Sequence, residues 1–102
     1  MSEDNIRKKI QLPWVSFCSD AGIYSDISKS FRTHPRAFGS FIRVLGKYSR
    51  DEKLFPLEEG IRRLTSFPAQ NLKLKDRGML KENYFADVVI FNANEVLSLI
   101  HI

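Results

Sequence analysis

Residues 13 to 18, Pro13-Trp14-Val15-Ser16-Phe17-Cys18, form a short run that is apolar on both faces. Such a run reads as a strand of a parallel sheet covered on both sides. A strand of this kind needs neighbours, and the chain offers few. The other strand signals come in the last third, where RGMLKENYFADVVIF reads as a short strand, a turn at Lys81-Glu82-Asn83 and a stronger strand from about Ala86 to Phe91. Asn83 tolerates the positive φ that such a turn often requires. One early strand and two late ones do not make a self-sufficient sheet. The expectation is therefore an α/β fold of which this chain holds only a part.

The early run also ends in an unusual way, at Ser19-Asp20. A carboxylate at the end of a buried strand costs free energy unless it is paired or binds something. Asp20 is thus a candidate functional residue, with a helix cap or an ordinary loop carboxylate as the bland alternative. The loop that follows, AGIYSDISKSFRT, is long for a compact domain, and such loops often carry function. His34-Pro35-Arg36 closes it, and His34, preceding a proline, should be extended.

One helix precedes the first strand signal and two more lie between it and the last. Ser2 is placed to cap the first, with Glu3 and Asp4 in its first turn and Arg7, Lys8 and Lys9 near its end, the order that suits the helix dipole. Ile6 and Ile10 share a face, and Pro13 stops the helix. A second helix spans about Ala37 to Tyr48, with Phe38, Phe41, Ile42, Leu45 and Tyr48 at spacings of three and four. The aromatic stripe Phe38, Phe41, Tyr48 reads as core packing. Gly39 and Gly46 weaken the helix but permit close packing, here expected against a sheet. Pro56 opens a third helix whose apolar face is Leu57, Ile61 and Leu64. Pro68 breaks it, and Ala69 to Leu72 can add one turn. Lys73 and Lys75, alternating with Leu72 and Leu74, read as a solvated face. Phe85, Val88 or Val89 should be buried against the third helix or its neighbours.

The chain of 102 residues is enough for one small domain, and 43% hydrophobic residues argue against disorder. The net charge of +4 is spread among acids, as in RDEK and LKLKDRG, unlike the basic stripe of a nucleic-acid surface. No apolar run approaches membrane-spanning length, and MSEDNIRKK lacks the apolar core of a signal peptide. A cytoplasmic protein with neither nucleic acid nor membrane as partner is expected. The lone cysteine, Cys18, reads as a buried structural thiol; no histidine is positioned by sequence to make it a nucleophile.

Taken together, WVSFCSDAG, HPRAFGSFIRVLGKYSRDEKLFPLEEGIRRLTSFPAQNLKLKDRG and ENYFADVVIF resemble the C-terminal part of the N-acyl-D-amino-acid deacylases (D-aminoacylases) of the amidohydrolase superfamily. Each motif alone is weak; their order and spacing from about Glu3 to Phe91 are specific. The resemblance implies a metal-bearing (β/α)8 barrel with a small β-domain. Residues 1–72 would be the C-terminal part of the barrel and 73–96 a hairpin of the small domain. Ser19-Asp20 would lie at the C-terminal end of the eighth strand, the face where barrel enzymes place their chemistry. Asp20 matches the family's catalytic aspartate, with Ser19 beside it on the substrate. Arg36 matches the arginine that holds the carboxylate of an N-acyl-D-amino acid, for which its planar fork is suited. An ordinary surface ion pair is the alternative for Arg36, and His34 shapes the loop. In the complete enzyme, zinc would polarise the amide carbonyl and lower the pKa of a bound water, and Asp20 would exchange protons with that water and the leaving amine.

The departures from the family pattern are Cys18, Gly60 and the Glu82-Asn83 turn, where small residues, alanine and Pro-Gly or Glu-Gly are usual. A catalytic zinc needs about three convergent protein ligands. The chain offers only His34, His101 and Cys18 besides its carboxylates, so Asp20 is the one possible ligand and the fragment alone is expected to be inactive. Residues 97–102, LSLIHI, resemble the translation of a transposon-end adaptor and are expected to be a non-native tail, with Met1 an internal methionine. The competing reading is a non-enzymatic interaction domain whose exposed apolar strand edges bind a partner.

Overall fold

The Ser2 hydroxyl accepts a hydrogen bond from the Asn5 N–H at 3.3 Å and starts α1, Glu3–Ile10. In this computed structural model, residues 2–22 and 34–96 are described. The remaining elements are α2, Arg36–Arg43; a π-helical segment, Val44–Asp51, continuous with α2; α3, Leu57–Leu64; and α4, Ser66–Asn71. The loop residues 23–33 and the expected tail 97–102, with His101, lie outside the described residues.

The core forms where α1 packs on the π-helical segment and on Leu54-Phe55, just ahead of α3. Ile10, Val44, Tyr48 and Phe55 are its buried residues, with Ile6, Phe17, Leu54 and Leu64 packed around them. The shared face of Ile6 and Ile10 is as expected. The face of the second helix is not. Phe38, Phe41 and Ile42 are exposed, and Val44, Leu45, Tyr48 and Ser49 are buried instead. The wider π winding supplies the reason, because it re-registers the face of the helix partway along. Of the expected aromatic stripe, only Tyr48 is core. Gly46 does pack closely, but against a carbonyl rather than a sheet: a Cβ there would stand 2.5 Å from the Val96 oxygen.

Charges fasten α1 to this core. The Glu3 carboxylate accepts from Arg43, Lys47 and the Tyr48 hydroxyl at 3.0 to 3.2 Å. Arg7 and Glu52 form a two-pronged pair at 2.7 and 3.1 Å. The Arg7 guanidinium holds the Glu52 carboxyl below the usual carboxylate range.

In α3 the expected face of Leu57, Ile61 and Leu64 is half-buried, while Gly60 and Arg63 are buried. Pro68 does not end the helical path; it sits in the first turn of α4, where its missing N–H is harmless.

Three strand expectations are corrected. Among the described residues there are no strands, and every regular element is helical. Residues 15–22 run without regular structure, and Trp14 is 67% exposed. Cys18, expected to be buried, is exposed. The turn at Lys81-Glu82-Asn83 forms, with Asn83 at φ 65° and the Tyr84 N–H on the Lys81 carbonyl at 3.1 Å. Its arms are joined by the Phe85 N–H on the Asp76 carbonyl and by the Arg77–Asp87 ion pair, not by a ladder. Phe85, Val88 and Val89 are exposed rather than buried, and Ile90 is 93% exposed. The physical reason is common to all three. A strand is stabilised by neighbours that take its N–H and C=O groups and cover its faces, and none runs beside these stretches among the described residues. Leu72, Lys73, Leu74 and Lys75 are all exposed, and Lys73, at φ 55°, sits in a turn.

Candidate active site

Asp20 lies at the end of the 15–20 stretch with φ 53°, a left-handed conformation that aspartate tolerates better than most side chains. Its N–H points back to the Cys18 sulfur at 3.3 Å, and the Ala21 N–H donates to the Ser19 hydroxyl at 3.3 Å. The chain thereby curls tightly around Ser19-Asp20 and turns the Asp20 carboxylate outward, 82% exposed. Backbone kept in such a conformation is a recognised accompaniment of functional positions.

Arg36 begins α2, and the local sequence explains how it is held. Pro35 occupies the cap position. His34, ahead of it, accepts the Arg36 N–H on Nδ1 at 3.1 Å, so its ring satisfies one of the free donors at the helix start. His34 thus helps to start α2, while most of the loop it was expected to shape lies outside the described residues. The Arg36 carbonyl takes the Ser40 hydroxyl at 2.7 Å.

The Arg36 guanidinium reaches the Asp20 carboxylate, with Nη2 2.6 Å from Oδ2, and remains 49% exposed. The two residues singled out from the sequence therefore stand together on an open face. Ser19 adjoins them, but its hydroxyl is turned into its own loop. Chemically, the face offers one carboxylate that can exchange a proton and one planar cation that can grip an anion.

No group of three or more histidine, cysteine or carboxylate side chains placed to hold a metal occurs among the described residues. Asp20 has Arg36 for its neighbour rather than further ligands. The described residues therefore do not fit a zinc site by themselves. No helix among them is long and apolar enough to cross a membrane.

Sequence reasoning missed Arg62 and Arg63, which it used only as favourable charges near a helix end. Arg62 donates to the Pro13 carbonyl at 2.9 Å and pairs with Glu59. Arg63 is 1% exposed and donates from Nε to the Val15 carbonyl at 2.6 Å and from Nη1 to the Ile10 carbonyl. Its Nη2 has no partner, and burial pushes the guanidinium below the usual arginine range. Nothing in the spacing of LEEGIRRL separates the two arginines, because which of them is buried depends on where α3 docks.

A sequence profile of the Amidohydrolase family matches residues 14–98. The chain is 40% identical over 96 residues to an N-acyl-D-glutamate deacylase of Alcaligenes xylosoxydans xylosoxydans, covering 94% of this chain and 19% of that protein. It is 49% identical over 61 residues to a D-aminoacylase of the same organism, covering 60% of this chain and 13% of the relative. Its fold is similar to that of the N-acyl-D-glutamate deacylase from Bordetella bronchiseptica, solved with zinc and a phosphonate inhibitor that mimics the tetrahedral intermediate. That likeness has a TM-score of 0.84 at 37% identity over 96% of this chain and 20% of the other. The chain thus spans about a fifth of the length of the deacylases it matches along nearly all of its residues.

Proposed function

The chain belongs to the amidohydrolase family, and from that premise we propose that it is the C-terminal part of a hydrolase that cleaves the amide bond of N-acyl-D-amino acids. The observation that carries this reading is the match along nearly the whole chain to a deacylase solved with a tetrahedral-intermediate mimic. Residues 1–72 would complete a (β/α)8 barrel and residues 73–96 a small β-domain. The exposed apolar stretches at Trp14 and Val88–Ile90 would then find their strand neighbours in the rest of the barrel and domain.

In this reading Asp20 is the proton-transfer group. Its carboxylate takes a proton from the attacking water and returns it to the amine nitrogen as the C–N bond breaks, so one residue acts as base and then as acid. Arg36 binds the free carboxylate of the substrate through its two-pronged edge. Ser19 lines the same face against the substrate. Zinc would be held in the complete enzyme by groups other than the described residues of this chain.

The test is direct. The complete enzyme, supplied with zinc, should release amino acid from N-acyl-D-amino acids and leave the L-isomers largely intact. The 102-residue chain by itself should release none under the same conditions. Failure of the complete enzyme on every N-acyl-D-amino acid offered would sink the reading, and turnover by the short chain would overturn its division into an inactive part and a complete enzyme.

A further inference from the structure

Arg63 stands in the last turn of α3, and the chemistry above gives it no part. It is nonetheless the largest fully buried side chain among the described residues. A buried guanidinium has to be held by hydrogen bonds, and Arg63 spends its bonds on one stretch of chain. Nε takes the Val15 carbonyl and Nη1 the Ile10 carbonyl. The cation lies 4.7 Å from the Phe17 ring centre and 5.1 Å from that of Phe55. Those two rings are themselves 6.3 Å apart, so Phe17 is held between the arginine and the core. Arg62 adds the Pro13 carbonyl. Residues 10 to 17, the approach to Ser19-Asp20, are thus fastened from α3.

We propose that Arg63 is the positioning residue of Asp20: by gripping Ile10, Val15 and Phe17 it sets where the carboxylate leaves the chain and faces Arg36. The proposal rests on reading Asp20 as the proton-transfer group. Arg36 belongs to α2, whereas the contacts of Arg63 fall on residues 10–17 and Phe55. Loss of Arg63 therefore displaces the carboxylate and leaves the substrate anchor in place. Lysine keeps the charge but lacks the planar guanidinium that donates from two separate nitrogens while lying against a ring.

Two measurements test this, and they fail independently of each other. In the complete enzyme, Arg63→Met should lower kcat by about 10²-fold, the cost of a misplaced catalytic group, with KM nearly unchanged. Arg63→Lys should fall between it and the parent. In an Asp20→Asn background, Arg63→Met should cost nothing further, because Arg63 acts only through Asp20. Equal losses in kcat and in substrate binding, or a further loss in the Asp20→Asn background, overturn the proposal. The second measurement needs no activity. Trp14, the single tryptophan of the 102-residue chain, lies between Pro13 and Val15, whose carbonyls α3 holds. Its fluorescence anisotropy should drop in Arg63→Met while helical circular dichroism is retained. A parent chain in which Trp14 is already as mobile as in the variant overturns the proposal. If the anisotropy falls as expected and the complete enzyme turns over no N-acyl-D-amino acid, the activity reading fails and the clamp on residues 10–17 stands.

Discussion

The Asp20 carboxylate and the Arg36 guanidinium, sixteen residues apart in the chain, meet at 2.6 Å. An ion pair this exposed contributes little to folding, about 0–1 kcal/mol as a rule. The meeting matters for where it puts the two groups: a proton-exchanging carboxylate beside an anion-gripping cation, at the end of one segment and the start of one helix.

Asp20→Asn in the complete enzyme should reduce kcat by roughly 10²–10⁴-fold, the usual contribution of one acid–base group. Asparagine keeps the shape and cannot accept the proton. Zinc content measured on the purified variant should equal that of the parent. Near-normal turnover would place the base elsewhere.

Arg36 should govern binding more than chemistry. Arg36→Lys keeps the charge and loses the fork, so it should be a poor replacement. Arg36→Ala should raise KM strongly for N-acyl-D-amino acids, because the substrate carboxylate loses its two-pronged cationic partner. Matched amides without the free carboxylate should be affected far less. The ratio of kcat/KM for the two substrates is the measurement, and an equal loss for both would make Arg36 a loop support.

Gly46→Ala should destabilise the fold. Its Cβ would stand 2.5 Å from the Val96 carbonyl oxygen, and backbone cannot yield as a flexible side chain can. Overpacking of this kind costs about 1–3 kcal/mol. Arg50, which donates to the Ala93, Asn94 and Val96 carbonyls, holds that segment in place, so the clash has no easy exit. A Gly46→Ala variant with an unchanged thermal midpoint would show that residues 93–96 can lift away.

Acid should weaken the attachment of α1. The Glu52 carboxyl is held below its ordinary value, first by its hydrogen bond to Arg7. A depressed carboxylate contributes stability that is fully present above its unfolded-state value of about 4.5. That contribution is lost as pH falls from there through the lower folded value. Glu52→Gln should therefore flatten the pH dependence of stability below about 4.5, read by denaturant unfolding at a series of pH values. A parent-like slope in the variant would assign acid sensitivity to other carboxylates.

Local chemistry made several parts of this protein legible from its sequence. The Ser2 cap and the charge order of Glu3, Asp4, Arg7 and Lys8 define α1 within its own residues, because caps and dipoles act over a single turn. The positive φ at Asn83 and the bond from the Arg36 N–H to the His34 ring are likewise short-range. The motifs around Asp20 and Arg36 named the candidate site, yet their meeting required the chain to return across sixteen residues. Burial was decided at still longer range. Trp14, Phe17 and Cys18 share one apolar run, but the packed residue is Phe17, which lies against the cation of Arg63 and the ring of Phe55. Val88 to Ile90 read as a core strand and are exposed, because a strand is buried by its neighbours and not by its own composition. Arg62 and Arg63 are identical letters with opposite fates. One pairs with Glu59 near the surface; the other is enclosed, since the docking of α3 against residues 10–17 turned that position inward. Helices, turn and chemical groups were thus set by residues close together in the chain. Which of those groups face one another was left to the packing of distant segments, because it depends on contacts whose strength no single segment contains.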